Sequence, residues 1–248
     1  MPLYSAEALV LRTYRLGEAD RIVVFLTRDR GKKRGVAKGA RRSRSRFAAA
    51  LEPLSRVHVA YFEREHRELV SLNFAELVRS PFGAADPEAL GYVGYFAELI
   101  DEWAPEAHAD ERLFRLGAAM VDALERPVPI VRLARYFEYW LLRLQGVYPG
   151  VSVCDRCAGA LADRGAWMAR AEHAFVCARC TPSPAPPDLA PAALGFLRAA
   201  ASLPPERLGD LPLSEQAARE LEAVHRSLIA QHLEREPRSA RVVRATAP

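Results

Sequence analysis

Between residues 6 and 77, hydrophobic positions alternate with polar ones in short runs rich in β-branched and aromatic residues, a pattern that predicts strands. The runs are Ala6 to Tyr14, Arg21 to Thr27, Lys32 to Lys38, Val57 to Phe62 and Leu69 to Phe74. Arg28-Asp29-Arg30-Gly31 joins the second to the third, with Gly31 free to take the positive φ of a tight hairpin. Val57, Val59 and Tyr61 share one face of the fourth run, and Val70, Leu72 and Phe74 one face of the fifth. Between the third and fourth runs, Phe47 to Glu52 is a stretch of good helix formers that ends at Pro53. Five strands with a short helix after the third is the element order of an OB-fold barrel, although an SH3-like barrel and a split sheet stay open.

After Ser80-Pro81 the period becomes helical, with Asp86 as the expected N-cap and Pro87 at the first helical position. Leu90, Val93, Phe96, Ala97, Ile100 and Trp103 form one stripe at spacings of three and four. Leu113, Leu116, Met120 and Leu124 mark a second helix. Val131 to Leu144 marks a third, with Tyr136, Phe137, Tyr139 and Trp140 inside it and Gly146 placed to end it. Helical pattern returns at Ala192 to Ser202 and again after Ser214, where Leu221, Val224, Leu228 and His232 line a face. The predicted class is multidomain α+β. It comprises an OB-fold barrel over 1–80, a helical bundle from 81–150 and 188–235, and a four-cysteine module inserted at 151–181. A proline-rich linker at 182–191 and a basic tail at 236–248, carrying Arg238, Arg241 and Arg244, complete it.

Composition is that of an ordinary globular protein: 248 residues, half of them hydrophobic and 27% charged. The longest charge-free run, Leu144 to Cys154, has 11 residues, short of the roughly 20 that a spanning helix needs. The amino terminus lacks the basic flank and apolar stretch of an export signal, so a cytoplasmic protein with no membrane partner is expected.

The net charge of +4 conceals a strong asymmetry. From Arg28 to Arg46, ten basic residues face one acid, Asp29, giving +9; the remaining 25 basic and 30 acidic residues give −5. All three lysines, Lys32, Lys33 and Lys38, fall inside that window. A cationic stripe on an acidic body is the footprint of a polyanion ligand, nucleic acid first, although solvated charge runs are also common. If the third run is a strand, Lys32, Arg34, Val36 and Lys38 point one way and Lys33, Gly35 and Ala37 the other. Arg41 to Arg46 then forms a loop able to follow phosphates without reading bases. Phe25, Tyr61, Phe62 and Phe74 are candidate stacking platforms, and barrel core is the competing account of each.

The four cysteines form two pairs, Cys154/Cys157 and Cys177/Cys180, spaced C-x2-C-x19-C-x2-C. Two such turns complete the four-sulfur shell of a structural zinc, with no position open for substrate. Disulfides, a redox dithiol and an Fe–S centre are the rivals; the missing export signal disfavours the first, and the lack of a βαβ setting the second. His173 is a spare candidate ligand. No Walker A or G-x-G-x-x-G spacing supports a nucleotide, and H-E-x-x-H is absent. No H-x-E or C-x-E precedes a Cys-x-x-Cys pair, which removes a nucleobase deaminase. Carboxylate pairs such as Asp101-Glu102 and Asp110-Glu111 read as solvated positions.

The stretch Gly17-Glu18-Ala19-Asp20-Arg21, through Leu26 to Lys32, Val36 to Arg42, Ser45-Arg46-Phe47 and Leu51-Glu52-Pro53, resembles the RecO family of bacterial DNA-repair proteins. The match is dense over 17–53 and extends at the level of element order to about residue 235. The resemblance implies a recombination mediator that binds single- and double-stranded DNA and anneals complementary strands. Such proteins act with RecR, and in many bacteria RecF, to load RecA onto DNA coated by single-stranded-DNA-binding protein, without a nucleotide cofactor. It implies a nucleoid-associated location and places the DNA role on Lys32, Lys33, Arg34, Lys38, Arg41, Arg42, Arg44 and Arg46. Some members lack the cysteines, so zinc here is expected to be scaffolding. The rival classes are an RNA-binding zinc-ribbon protein of ribosome assembly or translation, and a nucleic-acid-modifying enzyme.

Overall fold

A computed structural model describes residues 2–64, 67–83, 87–106, 108–161, 164–181, 185–241 and 243. Strands β1 (Leu3–Leu16), β2 (Asp20–Thr27), β3 (Gly31–Ala37), β4 (Arg56–Phe62) and β5 (Leu69–Arg79) close into a barrel of order β1-β2-β3-β5-β4. Every neighbouring pair is antiparallel except β3 with β5, which run parallel from Arg34 opposite Leu69 to Ala37 opposite Leu72. That closure makes it an OB-like barrel rather than a split sheet.

The alternation read from the sequence sorts residues to the two sides of the wall. Ala8, Val10, Val23, Phe25, Ala37, Val57, Val59, Tyr61, Val70 and Leu72 point inward, and the 3-10 helix Ala48–Leu51 adds Phe47, Ala50 and Leu51 to the same core. Each large side chain sealed there contributes about 1.5–3 kcal/mol. Phe74 departs from its expected place. Opposite β4 the register steps from Tyr61–Leu72 to Ala60–Phe74, so Asn73 is an extra residue and the inward face passes from Leu72 to Ala75. Phe74 is therefore outside, 42% exposed. A one-residue bulge reverses the facing of all that follows it.

The chain falls into two compact units: Met1–Arg126 with Pro237–Pro248, and Pro127–Glu236. The first takes α1 (Pro87–Trp103) and α2 (Glu111–Leu124) with the barrel, so the division runs through the segment expected as one helical bundle. The expected cap Asp86 lies outside the described residues; at α2 the side chain of Asp110 accepts from the Leu113 N–H at 2.9 Å. Gly117 lets α2 sit close, because a Cβ there would lie 2.6 Å from Leu9 and 2.9 Å from Ile100. Acidic side chains tie the helices to the barrel: Asp101, expected to be solvated, is largely buried against Arg12 at 3.0 Å, Glu111 stays exposed as it meets Arg28 at 2.7 Å, and Asp122 meets Arg79 at 3.0 Å and Arg56 at 3.3 Å. Part of the basic tail is anchored too. Glu98 accepts from the backbone N–H groups of Arg238 at 3.0 Å and Ser239 at 2.8 Å, and from the Ser239 hydroxyl. Arg244 lies outside the described residues.

The second unit holds α3 (Ile130–Leu144), the hairpin β6 (Trp167–Ala169) and β7 (Ala174–Val176), α4 (Pro191–Ala200) and α5 (Glu215–Leu233). A polar network is sealed between α3 and α5, where His225 Nδ1 lies 2.9 Å from Glu138 and His225 Nε2 lies 3.1 Å from the Tyr148 hydroxyl. Burial lowers the His225 pKa against the pull of Glu138, and raises that of Tyr148 well above its usual value. Within the proline-rich segment, Leu189 is fully buried and exchanges both backbone hydrogen bonds with Ala166, while Ala185 accepts from the Trp167 indole at 2.8 Å. These residues are docked rather than extended in solvent.

Candidate nucleic-acid interface and cysteine centre

The basic window begins at a turn built by close approach. Gly31 has φ +70°, and a Cβ there would lie 2.3 Å from the His108 carbonyl oxygen, so only glycine fits. The loop after α1 packs on this turn, with the Lys32 N–H donating to the Pro105 carbonyl at 3.1 Å.

The eight basic residues expected to face DNA do not present themselves alike. Lys32 is turned toward α1: its ammonium donates to the Asp101 carbonyl at 2.7 Å and lies 3.4 Å and 3.6 Å from the carboxylates of Asp101 and Glu106. Only 10% of that side chain meets solvent. Lys33 is paired with Glu63 at 2.8 Å, and the more exposed Arg34 with Glu106 at 3.1 Å. Arg41 donates to the carbonyls of Gly17 and Glu18, tying the β1–β2 turn to the loop after β3. Lys38, Arg42, Arg44 and Arg46 are exposed, and among the described residues none of the four is ion-paired. Arg46 stacks on Phe47 at 5.1 Å. The turn after β3 therefore concentrates free positive charge, while the strand itself is largely neutralised.

Beside Lys38 lies a groove of about 610 Å³, floored by Val36, Ser71 and Phe62 and edged by Arg67 and Leu69. A second hollow shares Arg67, Glu68 and Val70 with it and runs on to Lys33 and Arg34. Among the aromatic candidates, Phe25 and Tyr61 are core, whereas Phe62 reaches this groove. Sequence reasoning missed Arg67 and the masking carboxylates Glu63 and Glu106. Glu63, directly after the fourth run, was within reach of the alternation; Glu106 was not, because it is 72 residues from Arg34.

In the second unit the four Cys Sγ atoms lie within 4.8 Å of one another, with Cys157 and Cys177 3.6 Å apart. A tetrahedral ion with sulfur at about 2.3 Å needs sulfurs about 3.8 Å apart, so the donor set fits. Each pair sits on a tight turn, closed by Ala158 N–H to the Cys154 carbonyl at 2.8 Å and Cys180 N–H to the Cys177 carbonyl at 2.9 Å. Burial pushes the Cys177 thiol up, but N–H groups of Arg179 and Cys180 outweigh it and bring it down to about 6. Cys154 is likewise lowered, while Cys180, sharing protons with Cys157, is pushed up to about 12. Four thiols this close favour full ionisation only around a cation. His173 is no ligand here: its Nε2 lies 2.6 Å from the Gln231 amide.

Among the described residues, no helix is long and apolar enough to cross a membrane. The chain matches the family models for the recombination protein O N terminus over residues 1–81 and C terminus over 84–241. It is 34% identical over 232 residues to the DNA repair protein RecO of Anaeromyxobacter sp. (strain K), covering 92% of this chain and 90% of that one. The RecO of Rubrobacter xylanophilus is 36% identical over 243 residues, 94% and 92% of the two chains. That of Koribacter versatilis is 42% identical over 164 residues, 65% and 66%. Barrel, helices and these likenesses agree, and the chain belongs to the RecO family of DNA-repair proteins.

Proposed function

We propose that the protein is a non-enzymatic recombination mediator that binds single- and double-stranded DNA and anneals complementary strands. With RecR, and RecF where present, it helps load RecA onto DNA coated by single-stranded-DNA-binding protein, working in the cytoplasm at the nucleoid. Family membership supports the pathway. The observation that carries DNA binding is the cluster of Lys38, Arg42, Arg44 and Arg46, exposed and without carboxylate partners among the described residues, next to Arg41. Cations free of counter-charge release bound counterions from a phosphate chain at no internal cost. Lys33 and Arg34 join once Glu63 and Glu106 give way, and Lys32 stays with Asp101 as scaffold.

Cys154, Cys157, Cys177 and Cys180 hold one structural zinc, which supplies folding energy to the module; the residues themselves shape its two turns.

The test is salt-dependent binding of labelled single-stranded DNA to the wild type and to a variant with Lys38, Arg42, Arg44 and Arg46 changed to alanine. Five phosphate contacts give a log–log slope of about −3.5, and one remaining contact about −0.7. Equal slopes for both proteins refute the assignment. An RNA strand of the same sequence that outcompetes the DNA favours the zinc-ribbon RNA binder instead.

A further inference from the structure

All four cysteines of the chain lie in the second unit, and they are not equally shielded. Cys154 and Cys177 are buried, Cys180 is half-buried and Cys157 is exposed. The opening at Cys157 is local. Ala158 and Gly159 follow it, and Ala158 turns the chain back through the left-handed region at φ 54°. A Cβ on Gly159 would lie 3.5 Å from the Cys157 sulfur and 3.4 Å from the Arg179 guanidinium, so glycine leaves open the side from which a larger residue would cover both. That guanidinium hydrogen-bonds the sulfurs of Cys157 and Cys177. The exposed sulfur therefore has a cation beside it and the buried sulfur of Cys177 3.6 Å away.

We propose that Cys157 and Cys177 are an oxidation-sensitive pair, which hydrogen peroxide joins as a disulfide, so that the module gives up its metal and lets go of α5. The inference rests on the four cysteines holding zinc and adds what an oxidant does to them. The Cys157 thiolate attacks the O–O bond of the peroxide: an S–O bond forms, hydroxide leaves and takes a proton from solvent, and the sulfur gives up two electrons. The Cys177 thiolate then attacks that sulfur. The S–S bond forms, the S–O bond breaks, and the second hydroxide leaves as water after taking another proton. Two thiolates, one peroxide and two protons become one disulfide and two waters. Coordination keeps both sulfurs in the thiolate form that reacts, and Arg179 sets positive charge beside the departing hydroxide. Two sulfurs are left, half of a tetrahedral shell.

The second unit shows what the module holds in place. Strand β7 ends at Val176, directly before Cys177, and its three residues are all buried. The Phe175 ring lies 6.2 Å from that of Tyr148, and the Phe175 carbonyl accepts from the Asp155 N–H at 3.0 Å. In the turn between β6 and β7, Arg170 reaches Ser227 at 3.1 Å and His173 reaches Gln231 at 2.6 Å. The hairpin thereby closes over a cavity of about 310 Å³ against Val224 and Leu228 of α5. Binding energy at a structural metal site is folding energy, so its loss frees the hairpin and bares this apolar stretch of α5. The barrel, which contains no cysteine, stays as it was.

Trypsin sorts the outcome, because cleavage after Arg143, Arg156, Arg164, Arg170 and Arg179 leaves each cysteine on its own peptide. Natively purified full-length protein is titrated with hydrogen peroxide while a chromogenic chelator reads zinc release, and free thiols are blocked before digestion. The expected result is complete loss of zinc in step with two thiols, a Cys157–Cys177 cross-link, and faster hydrogen exchange at Phe175 and from Val224 to Leu228. A phosphine reductant with added zinc reverses all three. A thiol-specific mercurial, applied to untreated protein, reads the total metal held by sulfur. No metal released by the mercurial removes the zinc site and the switch together. Metal that the mercurial releases and peroxide leaves in place overturns the switch while the site stands, and a cross-link between any other two cysteines overturns the pair. Exchange that keeps its untreated rate after the metal has gone overturns the release of α5.

Discussion

Glu63 and Glu106 occupy places on Lys33 and Arg34 that phosphates would take, so replacing them with glutamine should strengthen DNA binding. The two are not equivalent. The Lys33–Glu63 pair is held at 2.8 Å with side chains only 13% and 32% exposed, whereas Arg34 and Glu106 are 53% and 59% exposed at 3.1 Å. An exposed pair is worth about 0–1 kcal/mol and yields readily, while a shielded one keeps its partner. Glu63→Gln is therefore expected to add a full phosphate contact and Glu106→Gln a fraction of one. With five contacts in the wild type, the single-strand slope moves from about −3.5 to about −4.2 for Glu63→Gln and toward about −4.9 for the double variant. Each added contact enlarges the loss of affinity between 50 and 200 mM salt by ~2.6-fold. Fluorescence anisotropy over a salt series reads both quantities, with Glu215→Gln/Glu234→Gln as a control of equal charge change elsewhere. A double variant with the wild-type slope, or a control with the same gain, would show that masking by these carboxylates plays no part.

Elemental analysis of the natively purified protein should find one zinc per chain, and Cys154→Ser/Cys177→Ser should lose it and unfold the module at lower temperature. Because burial lowers the His225 pKa, the unfolded chain takes up that proton first. The stability His225 contributes is complete above about 6.5 and is lost as pH falls below it. Chemical denaturation of His225→Gln between pH 5 and 7.5 should give a flatter profile than the wild type; an equally steep one refutes the assignment. Burial alone would raise the Glu98 carboxyl, but the groups of Ser239 and Arg238 hold it below its usual range. Glu98→Ala should speed hydrogen exchange at Arg238 and Ser239, and unchanged protection would mean that other contacts hold the segment.

Local pattern carried much of this architecture. The five strands, the short helix between β3 and β4, and the inward faces of Val57, Val59 and Tyr61 follow from alternation that neighbouring residues alone decide. The cysteine cluster was equally legible, because two turns of fixed spacing can meet only around a shared centre. Phe74 was misplaced because nothing in Leu69 to Arg79 marks Asn73 as the extra residue; the mismatch exists only against β4. Lys32 misled for a related reason. Its partner Asp101 is 69 residues away, and charge counted along the chain takes no account of carboxylates brought in by a helix.

The parallel pairing of β3 with β5 has a kinetic meaning. Those four residue pairs join strands separated by β4 and the 3-10 helix, whereas β1 with β2 and β2 with β3 are formed by neighbours in sequence. With four residue pairs this seam is the shortest ladder of the barrel, and closing it costs more loop entropy than either hairpin, so it is the first to part when the barrel breathes. Val36 and Ser71 face each other across it. A strand of DNA lying over the two would act as a staple on the shortest joint of the barrel, and amide exchange at Arg34 to Ala37 would slow when DNA is bound.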